Sequence, residues 1–145
     1  MTPMSHAPVD WDAVRSAAKA ATEFSYAPYS RLQVGAAALM DDGIIINGCN
    51  VENASLGLAF CAEVTLLGKM HMAGYGRGHM VAFAATDQYG RRLTPCGRCR
   101  QLLMENGGPD LLVDGAPHPR PMRELLPDWF GPEDLPTAIE DTDNG

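Results

Sequence analysis

Trp11, Val14, Ala18 and Ala21 recur at helical spacing behind Asp10, a good N-capping residue. They predict a helix over 11–25, which Pro28 ends. Residues 34–40 and 44–48 are two β-type runs joined by Asp41-Asp42-Gly43, the signature of a hairpin. Gly35, Ala36, Ala37 and Ala38 are all small, which implies a close neighbour on this strand. The chain turns polar over 48–55. A second helix is expected over 61–73, closed by Gly74 at its C-terminus. Val64, Leu66, Leu67, Met70 and Met72 cover most of its circumference, so it should be buried on several sides, against a sheet and against a further body such as another subunit. Residues 80–86 form an unbroken apolar strand. Strand, helix, strand in that order predicts a right-handed parallel crossover. A turn around 87–90 leads to a helix over 96–106, stopped by Gly107-Gly108. A short strand at 111–113 and a short helix at 122–126, ended by Pro127, follow.

These elements predict one α/β domain spanning 1–145. Its three layers, α/β/α, would enclose a mixed central sheet of about five strands with helices on both faces. Residues 1–9 and about 137–145 carry no such pattern and are expected to be disordered. From 131 to 145 there are five acidic residues and no lysine or arginine.

Composition narrows the function. A chain of 145 residues, 46% hydrophobic, can build one packed core. No apolar run reaches 18 residues, so no membrane-spanning helix is expected. Residues 1–10 lack the basic and apolar segments of a secretory signal. The four cysteines, Cys49, Cys61, Cys96 and Cys99, then point to metal binding rather than disulfides, and to the cytoplasm. A net charge of -7 argues against a grip on nucleic-acid phosphates and for a small, uncharged substrate. The one dense basic run, Arg91, Arg92, Arg98 and Arg100, reads as a loop plus charges around a metal.

The candidate chemistry lies in two pieces, Cys61-Ala62-Glu63 and Pro95-Cys96-Gly97-Arg98-Cys99. Cys96 and Cys99 can face one metal from a single helical turn, and Pro95 suits a helix start. With Cys61 they supply three thiolates and leave the fourth position of a tetrahedral zinc open for water. Glu63 is close enough to move that water's protons. Nucleobase deaminases share this x-Glu and Pro-Cys-x-x-Cys pairing. Three thiolates give Zn2+ a formal charge of about -1, which opposes activation of water. Two helix N-termini, each worth about half a positive charge, offset part of it. Arg98 and Arg100 are candidates to offset more by donating to the thiolates, although either can equally be a solvated or salt-bridged surface residue. Cys49, His71 and His79 are alternative fourth ligands, and any of them would turn the site into a closed structural zinc. Asn50 and Glu52 alternate on an extended segment and point the same way, which suits binding of a sugar hydroxyl; otherwise Asn50 caps a loop and Glu52 is a solvated side chain.

Together these stretches resemble the small homotetrameric cytidine deaminases, over about 26–135. The resemblance rests on Tyr26-Ala27-Pro28-Tyr29-Ser30, Gly48-Cys49-Asn50-Val51-Glu52-Asn53-Ala54, Cys61-Ala62-Glu63, Pro95 to Gln101, Leu125-Leu126-Pro127 and Phe130-Gly131-Pro132-Glu133-Asp134-Leu135. It implies zinc at Cys61, Cys96 and Cys99, with Glu63 as proton shuttle. It also implies Asn50 and Glu52 on the ribose 3′-hydroxyl, and Ala62 and Thr94 along the base. Ala54 would approach the nucleoside's 5′ end, and Phe130 would stack on its pyrimidine, both from a neighbouring subunit. Leu32, Gln33, Leu56 and Val64 depart from the family's usual aromatic, Pro, Tyr and Arg at those positions. The expected substrates are cytidine and 2′-deoxycytidine. The departures at Leu32 and Leu56 keep open a modified or antibiotic cytosine nucleoside such as blasticidin S, whose deaminases also lack the Arg at the position of Val64.

Overall fold

The computed structural model describes residues 8–136. The expectations for 1–9 and for the acidic tail lie outside those residues, apart from Pro8 and Val9. Val9 packs against Val14, Ala18, Ala37 and Ala84 and so belongs to the folded domain.

Helix α1 (Trp11–Ala21) begins where the Asp10 side chain accepts a hydrogen bond from the Ala13 N–H at 3.1 Å. It stops short of residue 25. The Thr22 hydroxyl donates to the Lys19 carbonyl at 2.7 Å, and Thr22–Phe24 tighten into a 3-10 turn before the chain extends at Ser25. Strands β1 (Val34–Met40) and β2 (Ile45–Cys49) form the expected antiparallel hairpin. Gly43 takes φ +88° in its turn, a conformation open to glycine at little cost.

Helix α2 (Ala62–Met72) leads to β3 (Met80–Asp87), which pairs antiparallel with β1. β2 and β3 therefore point the same way, as the crossover requires, but β1 lies between them. The parallel neighbour of β3 is β5 (Leu112–Val113), reached by way of β4 (Arg92–Leu93) and α3 (Gly97–Gly107). β6 (Arg120–Pro121) and the short α4 (Met122–Leu125) complete the domain. The sheet order is β2-β1-β3-β5-β6, with β4 paired to β3. β4 and β6 escaped sequence reading because two residues hold no alternation to read.

The small residues of β1 reflect helices on both faces. Ala37 and Ala84 pack against α1, where a Cβ on Gly35 would meet the Ala18 carbonyl oxygen at 1.7 Å. On the other face Ala36, Ala38, Met40, Ile46 and Phe83 join Leu66 and Met70 of α2 and Leu103 of α3 in the main core. This is the expected three-layer α/β/α arrangement with a mixed sheet. Among the described residues no helix is long and apolar enough to cross a membrane.

Candidate active site

Cys61 is the N-cap of α2, Cys96 is the N-cap of α3, and Cys99 lies in the first turn of α3. The Cys61 carbonyl accepts from the Val64 N–H at 3.0 Å, and the Cys96 carbonyl from the Arg100 N–H at 2.9 Å. The thiols thus sit where the free N–H groups of two helices converge, at the positive ends of both dipoles. Pro95 is fully buried one residue ahead of the Cys96 cap, rather than inside the helix.

The three sulfurs lie within 4.8 Å of one another, with Cys61 Sγ and Cys96 Sγ 4.0 Å apart. Zn–S bonds of about 2.3 Å in a tetrahedron would hold sulfurs about 3.8 Å apart, so the donor set fits zinc with a small closure. All three thiols are free. Burial pushes the Cys99 thiol far up, and the neighbouring Glu63 carboxylate adds to the effect. Burial likewise raises Cys61. Cys96 goes the other way: burial opposes its ionisation, but the Cys99 N–H and the Cys99 and Cys61 thiols outweigh it and bring the pKa down. A divalent cation would supply the positive charge that offsets both the burial and the like-charge repulsion holding the other two protonated.

The alternative fourth ligands are not at this centre. Among the described residues only Cys61, Cys96 and Cys99 converge. Cys49 is partly buried at the end of β2, and burial raises its pKa. His71 Nε2 is bonded to Asn106 Oδ1 at 3.0 Å, and His79 Nδ1 to Asp41 Oδ2 at 2.8 Å. The closed structural zinc site is therefore overturned, and a fourth position stays open.

Glu63 is 6% exposed in the first turn of α2. Burial pushes its carboxyl above the usual range, against hydrogen bonds from its own N–H and the Cys99 thiol. A carboxyl raised toward neutrality exchanges protons readily at working pH. Glu63, Cys61 and Cys96 border a cavity of about 400 Å3, with Leu32, Asn50, Glu52, Ala62 and Thr94 also on its walls.

Asn50 and Glu52 face this cavity and also brace the loop beside it. Asn50 Oδ1 accepts from the Ser25 hydroxyl and, at 2.9 Å, from the Val34 N–H, while Nδ2 donates to the Leu32 carbonyl at 2.8 Å. Glu52 Oε1 accepts from the N–H groups of Tyr29 (3.0 Å) and Ser30 (3.1 Å). The Ser30 hydroxyl bond holds the Glu52 carboxyl below its ordinary pKa, so it is an anion at neutral pH. One N–H of the Asn50 amide remains beyond these bonds.

The other expected residues stand elsewhere. Ala54 is exposed on the loop after β2. Phe130 is 58% exposed and lines a separate depression with Trp129 and Arg77. Arg98 is exposed. Arg100 donates to the Pro95 carbonyl and the Leu125 carbonyl, each at 2.9 Å, so these bonds brace the loop that carries Cys96 instead of reaching a thiolate. Sequence reading missed Phe60, which borders the cavity, and Gln101, whose Nε2 donates to the Phe130 carbonyl at 2.7 Å. An aromatic directly ahead of Cys61 was the available sign for Phe60; nothing local marks Gln101.

Three cysteines and a buried glutamate, set at two helix N-termini over a mixed sheet, define a zinc-dependent hydrolase. Residues 9–113 match the family model described as the cytidine and deoxycytidylate deaminase zinc-binding region, and the chain belongs to that family. It is 52% identical over 128 residues to the cytidine deaminase of Mycobacterium tuberculosis, covering 88% of this chain and 95% of that one. It is 45% identical over 120 residues to the cytidine deaminase of Halalkalibacterium halodurans, covering 79% and 89%. The crystal structure of the Mycobacterium tuberculosis cytidine deaminase superposes with a TM-score of 0.82 at 51% identity, covering 86% of this chain and 99% of that one. The cytidine deaminase of Mycobacterium leprae gives 0.79 at 48%, covering 83% and 99%.

Proposed function

We propose that the protein hydrolyses cytidine and 2′-deoxycytidine to the corresponding uridines with release of ammonia, a pyrimidine salvage reaction. The observation that carries this reading is the placement of buried Glu63 beside the three-sulfur cluster, on a cavity that Asn50 and Glu52 also face. One zinc per subunit, held by Cys61, Cys96 and Cys99, would acidify the water that serves as nucleophile. Glu63 accepts a proton from the attacking water and passes it to the ring nitrogen beside the attacked carbon; it then takes the second proton, from the hydroxyl now on that carbon, and delivers it to the departing amine as the new C=O forms. Its burial keeps bulk water from competing for that proton.

Asn50 and Glu52 bind the ribose 3′-hydroxyl, Asn50 through its spare N–H and Glu52 through its carboxylate. That pair would crowd a 3′ phosphate, and the net charge of -7 adds to the case against a nucleic-acid substrate. Ala62 and Leu32 line the base, while Ala54 and Phe130 serve a neighbouring subunit's site. Shared sites call for an oligomer, which the family resemblance makes a homotetramer; the exposure of Phe130 and its absence from its own cavity support a site completed by a second subunit. The reaction belongs in the cytoplasm, where the three thiols stay reduced and able to hold metal. Arg100 braces the metal loop through the Pro95 carbonyl, and Arg98, exposed in the first turn of α3, is the arginine left to offset the thiolate charge.

Turnover of cytidine to uridine, followed by ultraviolet absorbance and ammonia release, tests this reading. Glu63→Gln should lower kcat by about 10³-fold with zinc and fold retained. A wild-type protein inert on both nucleosides overturns the assignment. Leu32 on the cavity wall favours a second reading, a larger or modified cytosine nucleoside. Much faster turnover of blasticidin S than of cytidine would establish it.

A further inference from the structure

Helix α3 joins two parts of the molecule that serve different sites. Its N-terminus carries Cys96 and Cys99. The next two residues reach the C-terminal segment: Arg100 Nη1 donates to the Leu125 carbonyl at 2.9 Å, and Gln101 Nε2 donates to the Phe130 carbonyl at 2.7 Å. Around Phe130 the backbone is held on both sides. Trp129 packs against the main core, and the Gly131 N–H donates to Asp134 Oδ2 at 2.9 Å. Asp128 takes φ +52°, a left-handed turn conformation that aspartate adopts more readily than most residues and that sets the chain's direction into Trp129 and Phe130. Yet the Phe130 side chain is 58% exposed and does not touch its own cavity. A fixed backbone with a free aromatic ring is a preorganised anchor.

We infer that Gln101 is a positioning residue acting across the subunit interface: its bond to the Phe130 carbonyl sets the ring that enters a second copy's active site. This rests on the reading that Phe130 works in a neighbour. The metal-bearing helix of one subunit and the aromatic it delivers to the next then form one rigid piece. A defect at Gln101 appears in the neighbour's substrate affinity and leaves its own subunit's proton chemistry alone.

Hybrid oligomers separate the possibilities. Co-expression of a Phe130→Ala chain with a Glu63→Gln chain, under two purification tags, gives oligomers in which each active centre belongs to the first chain and each Phe130 to the second. The expected result is that KM for cytidine, raised in the Phe130→Ala protein, returns toward wild type in the hybrid. Adding Gln101→Met to the Glu63→Gln chain should then raise the hybrid's KM about fivefold, the worth of one hydrogen bond, with kcat per active centre unchanged. On the Phe130→Ala chain the same change has no ring to misplace, and the rescue persists. Should Gln101→Met fail to fold, Gln101→Glu, which keeps the length but cannot donate, makes the same test. If the plain hybrid shows no rescue, Phe130 does not act in a neighbour and the shared-site reading falls. If rescue occurs but survives Gln101→Met on the donor, or is lost equally from either chain, the shared site stands and the role of Gln101 is overturned.

Discussion

Gly48 of β2 lies directly under Leu66 of α2: a Cβ at Gly48 would sit 2.5 Å from the Leu66 backbone nitrogen and 2.8 Å from the Ala62 carbonyl oxygen. Both are backbone atoms and cannot swing aside. The contact fixes the height of α2 over the sheet, and so the height of Cys61 and Glu63 at its N-terminus.

Gly48→Ala should therefore push α2 away from the sheet. Overpacking of this kind costs about 1–3 kcal/mol. A lower melting temperature together with weaker zinc retention against a chelator is the expected result, because the shift separates Cys61 from Cys96 and Cys99. Unchanged stability and zinc content would contradict this account of the contact.

The metal centre makes a prediction about stoichiometry. Cys49 stands outside the cluster, so Cys49→Ser should keep one zinc per chain and full turnover. Cys99→Ser removes a buried ligand and should lose both. Zinc content by atomic absorption, measured beside cytidine turnover, checks the pair.

The lining of the cavity predicts a change in affinity. Leu32 is 39% exposed on the cavity wall and offers no ring to a base. Leu32→Phe should strengthen cytidine binding by about 1 kcal/mol, the worth of an aromatic pair, and so lower KM roughly fivefold. Steady-state kinetics on cytidine reads this directly. A higher KM would mean that the base does not lie against residue 32.

The parts of this molecule legible in the sequence were those encoded locally. Asp10, Gly43 and Gly74 marked element ends, and the Cys-x-x-Cys spacing marked one turn carrying two ligands. The run Gly35 to Ala38 announced close packing without saying that α1 lies on one side and α2 on the other. β1 lies between β2 and β3 because of sheet order, which no local pattern carries. Arg100 and Gln101 were the hardest to read. Their partners, the carbonyls of Pro95, Leu125 and Phe130, are backbone atoms of distant residues, and a carbonyl leaves no trace in residue type. Asn50 was read as a sugar binder or a loop cap and Glu52 as a sugar binder or a solvated side chain, and the hydrogen bonds show both bracing the loop.

Asp114 yields a prediction about acid. Its side chain is 1% exposed and accepts from Arg15 Nε and Nη2, both at 2.8 Å, and from Arg92 Nε at 3.1 Å. Burial alone would raise its pKa, but the Arg15 bonds and the charges of Arg15 and Arg92 outweigh burial and hold the carboxyl below the ordinary range. A carboxyl depressed in the folded state binds its proton more readily when unfolded, near pH 3.9. Its stabilising contribution is therefore complete above that value and is lost as pH falls through the lower folded pKa. Asp114→Asn removes the charge but keeps the shape, and should cost about 2 kcal/mol at pH 7, the worth of hydrogen bonds to a charged group. It should also detach α1 from the end of β5, because Arg15 belongs to α1 and Asp114 follows Val113. Melting temperatures of the two proteins, measured from pH 7 down to pH 3, should differ by a constant amount until about pH 4 and then converge. Zinc loss on acidification affects both proteins alike and drops out of the difference. A gap that persists unchanged to the lowest pH would show that Asp114 acts through shape and not through charge.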